Sequence, residues 1–466
     1  MTARRNVIWN VVTFLKKIHR QKSGMVFTHK QQNKLLLILG VTLLLVLACG
    51  QSGKNARQQF DDDSTLVFKH FKLANARQAF KKAIAQFEKN NPGVKVKEEI
   101  LPSNTNIQHQ FYVTSLEARS SDFDVFLIDV IWTPEFSLAG WLEDLSDLLS
   151  PEERSDFFHA PIQADIYRGR LYAIPWYIDA GVLYYRKDLL QKYGFSPPVT
   201  FEELVNQAQV ILRNEKRPDL NGFLWQGKQY EGLICTANEI ISGFGGQIID
   251  ARGKAHLTDP ATRQALQWLK DCIYLYKISP AWVLSADEES TRLSFLNGHT
   301  LFLRNWPYCW TFFQREDSKV RGKVGVTHIP ALAGITGKST LGGWQLAINR
   351  FSAKKELTKR LVSFLASPQM QLQFALEVGT KPTRKPLYQN PFLIKEQPFI
   401  VKLFPILENT IPRPVTPLYS QISQILQVEF SAILSNIRPV DKALKSAKVQ
   451  IEHVLELEEL KKEIEK

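Results

Sequence analysis

An α/β architecture with more than one sheet is what this chain predicts. Three observations predict it. Short apolar runs of strand length alternate with amphipathic segments along most of the 466 residues. Several of those amphipathic segments open with a capping residue, as helices do. The run Asp124-Val125-Phe126-Leu127-Ile128 is apolar on successive positions, the pattern of a parallel strand buried on both faces. Strands alternating with capped helices over this length give α/β folds, and the length allows two or three domain-sized units.

The elements follow in order. Order is expected from about Ser64, and Thr65-Leu66-Val67-Phe68 reads as the first strand. Asn75 to Asn90 carries Ala79, Phe80, Ala83, Ile84 and Phe87 at helical spacing. Asn91-Pro92-Gly93 ends that helix, and Val94-Lys95-Val96 alternates as a strand, completing a βαβ unit. Gly181 to Arg186 is a second buried run that fits a parallel strand. Thr200-Phe201-Glu202-Glu203 is a capping box, with Thr at N-cap and Glu at N3. Asp259-Pro260 and Ser367-Pro368 each place a capping side chain before a proline at N1. Gly243-Phe244-Gly245-Gly246 lacks the lysine of a phosphate loop and reads as a turn. Ala443 to Lys466 is a charged helix expected to pack one face on the fold. There is no internal repeat and no low-complexity block.

The amino terminus carries an address. Leu35 to Ala48 is apolar, Lys30 and Lys34 precede it, and Cys49 follows a small residue. A basic stretch, an apolar stretch and a small residue before the cut define a secretory signal. Val46-Leu47-Ala48-Cys49 resembles the lipobox of bacterial lipoproteins, which implies cleavage before Cys49 and a lipid on its thiol. Residues 1–48 would then be the signal peptide and 49–64 a polar, flexible linker. A transmembrane helix is the other reading, but the run is shorter than the ~20 apolar residues that span a bilayer. Residues 1–24 are long for a leader, so translation starts either at Met25 or with an extended basic region.

Charge excludes one class of partner. The chain carries +13, and residues 1–48 hold eight of the Lys and Arg and no acid, which leaves +5 after cleavage. That surplus is small and interspersed with acids, so nucleic acid is not expected. Hydrophobic residues make up 44%, enough for real cores. With Cys49 lipidated, Cys235, Cys272 and Cys309 remain, so at most one disulfide can form. Buried free thiols are expected, with a Cys235–Cys272 bridge as the alternative.

Few sites look catalytic. The nine histidines form no HxxxH or HxH pair, and there is no CxxC, so no metal and no cofactor is expected. P-loop, GxSxG and GxGxxG signatures are missing. Aromatic residues beside carboxylates at strand ends are the richer signal. Asp129 follows DVFLI, with Trp132 close behind, and Trp176-Tyr177-Ile178-Asp179 precedes GVLYYR. Trp306, Tyr308 and Trp310 alternate after Leu301-Phe302-Leu303, beside Arg304, and Gly343-Trp344 precedes Leu346-Ala347-Ile348. Each ring alone is also consistent with core packing. Together they describe a concave site with oriented polar groups. Rings pack on the apolar faces of a sugar, and carboxylates accept its hydroxyls.

SDFDVFLIDVIWTPEFSLAGWLEDLS, GRLYAIPWYIDAGVLYYRKDLL, FLNGHTLFLRNWPY and GGWQLAIN, in this order, resemble the extracellular solute-binding proteins of ABC importers. The nearest group is the trehalose/maltose-binding branch of the maltose-binding-protein-like family, and the likeness runs from about Leu66 to about Leu455. The resemblance implies a two-lobed periplasmic-binding-protein fold of type II, with a hinge and a ligand cleft. Lobe one would take 65–177 and 330–373. Lobe two would take 181–327 and 382–466, with crossings near 178–180, 328–329 and 374–381.

By the same resemblance, Asp129 is the acid of lobe one, and Tyr177 and Asp179 lie at the first crossing. Trp306 and Tyr308 form an aromatic wall, Gly343 and Trp344 supply a backbone group and a ring, and Arg413 donates to hydroxyls. The segment Lys69-His70-Phe71-Lys72-Leu73 departs from the Gly-rich, acid-bearing loop of relatives. The implied protein is no enzyme. It is an exported, lipid-tethered monomer on the periplasmic or outer face of a membrane. It would capture an oligosaccharide, a disaccharide or glucoside of the trehalose, maltose, sucrose or glucosylglycerol type, for an ABC permease. The rival readings are an exported glycoside hydrolase using Asp129 and Asp179, and a sugar-binding protein feeding a sensor kinase.

Overall fold

The computed structural model describes residues 64–73, 76–250 and 252–464. The expected signal peptide, the lipidation expected at Cys49, the expected linker up to residue 63 and the choice of start therefore lie outside the described residues. Among the described residues, no helix is long and apolar enough to cross a membrane.

The strands are β1 (Thr65–Phe71), β2 (Lys95–Leu101), β3 (Val125–Asp129), β4 (Ile166–Tyr167), β5 (Arg170–Leu171) and β6 (Ala173–Ala180). They continue as β7 (Val182–Arg186), β8 (Asn221–Leu224), β9 (Thr300–Asn305), β10 (Val324–Thr327), β11 (Ser339–Ile348) and β12 (Thr410–Ile411). One sheet runs β12-β11-β3-β1-β2, with β6 on the other edge of β11. A second runs β10-β7-β9-β8, and β4-β5 is a small hairpin.

Period-2 alternation explains the first sheet. Leu66, Phe68, Val125 and Leu127 pack with Phe80 and Phe87 of the helix Arg77–Asn90 on one face. Phe126 and Ile128 pack with Tyr112, Trp132 and Phe136 on the other. The second sheet buries Leu183, Tyr184, Phe223, Leu301 and Leu303 among the helices Phe201–Glu215, Glu231–Gly243 and Tyr419–Leu434. Each such side chain contributes ~1.5–3 kcal/mol when fully buried.

Strand direction departs from the expectation. β1 is parallel to β2 and β3, but β3 meets β11 antiparallel, and β7 is antiparallel to both β9 and β10. A strand buried on both faces reads as the same apolar run whichever way its neighbours point. Lys69, His70 and Phe71 are strand, not loop. Lys69 pairs with Glu99 of β2 at 2.8 Å and the His70 ring stacks on Phe80 of the helix Arg77–Asn90 at 4.2 Å, so both polar side chains find partners in the fold.

Two caps form as the residues dictate. Thr200 accepts from the Glu203 amide at 3.1 Å while Glu203 accepts from Thr200, and Ser367 accepts from Met370 at 3.3 Å. Asp259 occupies the N-cap position without capping, because its carboxylate pairs with His256 Nδ1 at 2.8 Å. Gly245, at φ +82°, makes the turn after the helix Glu231–Gly243. The last helix, Val440–Ile464, buries Ala443, Leu444, Ala447 and Ile451 and exposes the opposite face. Cys235, Cys272 and Cys309 are buried free thiols, and Cys235 and Cys272 are not bridged.

Gly181 alone separates β6 in the first sheet from β7 in the second. A Cβ there would stand 1.9 Å from Glu239 Oε1 and 2.5 Å from Arg304 Nη2, so any side chain would have to displace the buried Glu239–Arg304 pair. The start of β11 is tied to this point by two bonds. Ser339 Oγ donates to the Gly181 carbonyl at 2.6 Å, and the Thr340 amide donates to Glu239 at 3.1 Å. A third segment runs alongside, where the Ile178 amide donates to the Lys381 carbonyl at 2.9 Å.

Candidate ligand-binding site

Strand register gathers five of the eight sequence-derived residues. In β11, Trp344 stands opposite Asp129 of β3 on one side and Tyr177 of β6 on the other. Gly343 pairs with Ile178 and Gly342 with Asp179. Gly343 has φ +122°, and a Cβ there would come 2.3 Å from the Tyr177 carbonyl oxygen, so this close approach also needs glycine. The carboxyl end of β3 and the paired segments of β11 and β6 thus present Asp129, Trp344, Tyr177 and Asp179 together.

The second sheet brings Trp306 to the same place. Val182, three residues after Asp179, pairs with Asn305. Trp306 follows directly, and Tyr184 Oη donates to its carbonyl at 3.0 Å. A Cβ on Gly342 would be 3.0 Å from Trp306 Cζ3 and 3.4 Å from Asp179 Cβ, so ring and carboxylate converge on one glycine. Trp306 and Tyr308 are half-buried, as is Trp344.

The three rings after β9 do not share a face as their alternate spacing suggests. β9 ends at Asn305 and a helix begins at Cys309, so the strand period stops. Tyr308 Oη donates to Glu289 at 2.7 Å, whereas Trp310 stacks on Phe399 at 4.4 Å. Trp132 and Trp176 are core residues, each 2% exposed. From β1, Phe71 adds a ring 4.2 Å from that of Trp344.

Electrostatics divide the site in two. Asp129 is 8% exposed and accepts from Arg413 Nη2 at 2.9 Å. Arg413 Nη1 donates to Glu231 at 2.8 Å, and Glu231 also accepts from the Tyr419 and Ser423 hydroxyls at 2.5 Å each. The terminal nitrogens of Arg413, expected to meet hydroxyls, are thus engaged by protein carboxylates, and its Nε lacks a partner among the described residues. Asp179 differs. Burial pushes its carboxyl up to about 7, against the pull of Lys381 and Arg304. Burial likewise brings the fully enclosed Lys381 ammonium down to about 7, against the pull of Asp179. Tyr177 is held well above the usual phenol range by burial and by Asp179 and Asp129.

Sequence reasoning passed over several participants. Glu231 and Arg413 are 182 positions apart, a pairing no local pattern signals. Glu288 and Glu289 read as ordinary acids in a helix's first turn, yet they hold Trp306 and Tyr308. Lys381 carried no signal beyond its charge. Among the described residues, no group of three His, Cys, Asp or Glu could hold a metal. The arrangement offers acceptors and rings from two sheets, which suits a hydroxyl-rich ligand with apolar faces.

Comparison with known proteins identifies the family. The family model described as bacterial extracellular solute-binding protein matches residues 73–372. A Deinococcus radiodurans protein named as a probable ABC transporter-binding protein is 39% identical over 348 residues, covering 74% of this chain and 82% of the relative. The maltose-bound MalE3 of T. maritima superposes with a TM-score of 0.79 at 37% identity, covering 84% of this chain and 99% of that one. An ABC transporter solute-binding protein from Agrobacterium vitis S4 with bound D-mannitol gives 0.72 at 25% identity, covering 84% and 98%. The fold is accordingly the two-lobed periplasmic-binding-protein type, one sheet to each lobe. With two sheets joined through Gly181, rings and carboxylates at their meeting edge and a family model over 73–372, the chain belongs to the bacterial extracellular solute-binding proteins.

Proposed function

We propose that the protein captures a sugar outside the cytoplasm and hands it to an ABC permease. The ligand class is a disaccharide or glucoside, with the site formed by Asp129, Tyr177, Asp179, Gly343, Trp344, Trp306 and Tyr308, and Arg413 ordering Asp129. The observation that carries this reading is the register of β3, β11 and β6, which aligns Asp129, Trp344, Tyr177 and Asp179, with Trp306 of the other lobe against them. The maltose-bound relative at 37% identity supports it. The chain binds rather than cleaves. Export under the leader, acylation of Cys49 and action as a monomer complete the proposal.

Lobe one takes 65–177 and 330–373, lobe two 181–327 and 382–466, and the crossings act as a hinge. A ligand that touches both lobes only when they are closed shifts the population to the closed state. A ligand that binds only the folded protein also stabilises it, by ~2.7 kcal/mol at a hundredfold excess over Kd. The test is a melting-temperature screen against maltose, trehalose, sucrose, glucosylglycerol and mannitol. A rise with one or two of the glucosides is the expected outcome. Flat melting with every sugar, or release of reducing ends from a disaccharide, refutes the reading.

A further inference from the structure

Glu288 opens the helix Glu288–Leu296. Its two carboxylate oxygens have different partners. Oε2 accepts from Tyr230 Oη at 2.6 Å, and Oε1 accepts from the indole Nε1 of Trp306 at 3.3 Å. Its carbonyl accepts from Asn305 Nδ2 at 3.0 Å, and Asn305 Oδ1 accepts from the Trp306 amide at 2.8 Å. One residue therefore restrains both the ring of Trp306 and the peptide that carries it.

The ring is held on a face as well. The Arg304 guanidinium carbon lies 4.1 Å from the Trp306 ring centroid. Arg304 is itself fixed by Glu239 at 2.8 and 2.7 Å, and is 1% exposed. With one face against a cation and the N–H edge on a carboxylate, the other face is left for a ligand. Tyr230 is 8% exposed and fixes the far oxygen, so the order of support runs Tyr230, Glu288, Trp306.

We propose that Glu288 is the positioning residue of the aromatic wall: by holding the Trp306 indole N–H it fixes the plane on which a sugar ring lies, and so tunes affinity and choice among sugars. This rests on the reading that Trp306 stacks on the ligand. Two of the carboxylate's roughly four acceptor sites are used by the protein. A ring freed from this bond must be immobilised by each incoming ligand, a cost that converts to about three- to tenfold in affinity.

The helix does not depend on Glu288. Its start is capped by Asp287, whose carboxylate accepts from the Ser290 amide at 3.0 Å while Ser290 Oγ accepts from the Asp287 amide at 2.9 Å. Glu288→Ala should therefore keep the helix and the fold, with a modest drop in melting temperature from the lost Tyr230 partner; Glu288→Gln, which can still accept from Tyr230, should melt closer to the wild type.

Calorimetry with maltose, or with whichever of trehalose, sucrose and mannitol stabilises the wild type most, tests the inference. Glu288→Ala should raise Kd about three- to tenfold, and Glu288→Gln, which keeps one acceptor oxygen, should lie between. In a Trp306→Phe background, which keeps a ring but has no N–H, Glu288→Ala should add little. Equal losses in both backgrounds, or no loss in either, overturn the inference while sugar binding stands. A wild type that binds none of these four sugars and is not stabilised by glucosylglycerol overturns the parent reading, and the inference with it.

Discussion

In the first sheet, Asp129, Trp344, Tyr177 and Asp179 are placed by main-chain pairing of β3, β11 and β6, whereas Trp306 and Tyr308, just past β9 of the second sheet, hang on side-chain bonds to Glu288 and Glu289. The first wall is set by register, and a one-residue slip would turn every side chain to the other face. The second wall follows a strand end and a turn, so its rings are adjustable one side chain at a time. Changes of specificity are thus expected to arise in residues 287–308 with little loss of stability, while the same number of changes in β6 or β11 would damage the fold.

The largest expected effect tests the second wall. Trp306→Ala should weaken sugar binding about a hundredfold, or ~2.7 kcal/mol, with a melting temperature close to the wild type. A core ring of this size would instead cost ~3–5 kcal/mol of stability. A melting curve and a titration on this one variant separate the two, and a large drop in melting with intact affinity in the cold would move Trp306 into the core.

Gly343→Ala should behave in the opposite way. A Cβ 2.3 Å from the Tyr177 carbonyl, at φ +122°, forces β11 away from β6. Overpacking costs ~1–3 kcal/mol, and left-handed strain adds to it. Denaturant unfolding should report that loss, and binding should fall with it because the same pairing places Asp129 and Asp179. Unchanged stability would mean that register does not hold this wall.

Asp179 gives a smaller effect with a pH signature. Hydroxyl donors favour the charged carboxylate, and burial has raised this group to about 7, so affinity should rise as pH increases through about 7 and fall below it. Lys381, Arg304, Tyr177, Tyr184 and Tyr388 are the titratable groups coupled to it. Asp179→Asn exchanges a charged acceptor for a neutral one, a difference of ~1 kcal/mol or more, about fivefold to tenfold, and should flatten the pH profile measured by calorimetry. A variant that keeps the wild-type pH step shows that another group titrates.

Tyr308→Phe should matter least. Its hydroxyl bond to Glu289 is solvent-exposed, so its loss should change Kd less than about threefold. A tenfold loss would place the Tyr308 hydroxyl on the ligand and make the second wall polar as well as aromatic.

The fold was legible where its signals are local. The Thr200 and Ser367 caps, the βαβ opening and the turn at Gly245 each rest on neighbours in sequence. Strand direction was not, since burial on both faces erases it from β7. The extension of β1 through Lys69 and His70 was not legible either, because Glu99 and Phe80, which pack with them, arrive from elsewhere in the chain. The site followed the same rule. Asp129, Tyr177, Asp179, Gly343 and Trp344 sit at ends or pairs of recognisable strands and come together. Arg413's engagement with Asp129, 284 positions away, and Glu288's hold on Trp306 exist only in three dimensions.

The three buried cysteines have a practical side. Burial pushes the Cys235 thiol up to about 12, and those of Cys272 and Cys309 well above the usual thiol range. Thiolate is the reactive form, so at neutral pH all three are chemically silent in the folded protein. With Cys49 acylated or replaced, a single cysteine introduced at the rim of the cleft would be the one position that takes up a maleimide dye. If the cleft closes on its ligand as proposed, a dye placed there would turn the protein into an optical sensor without removal of any native thiol.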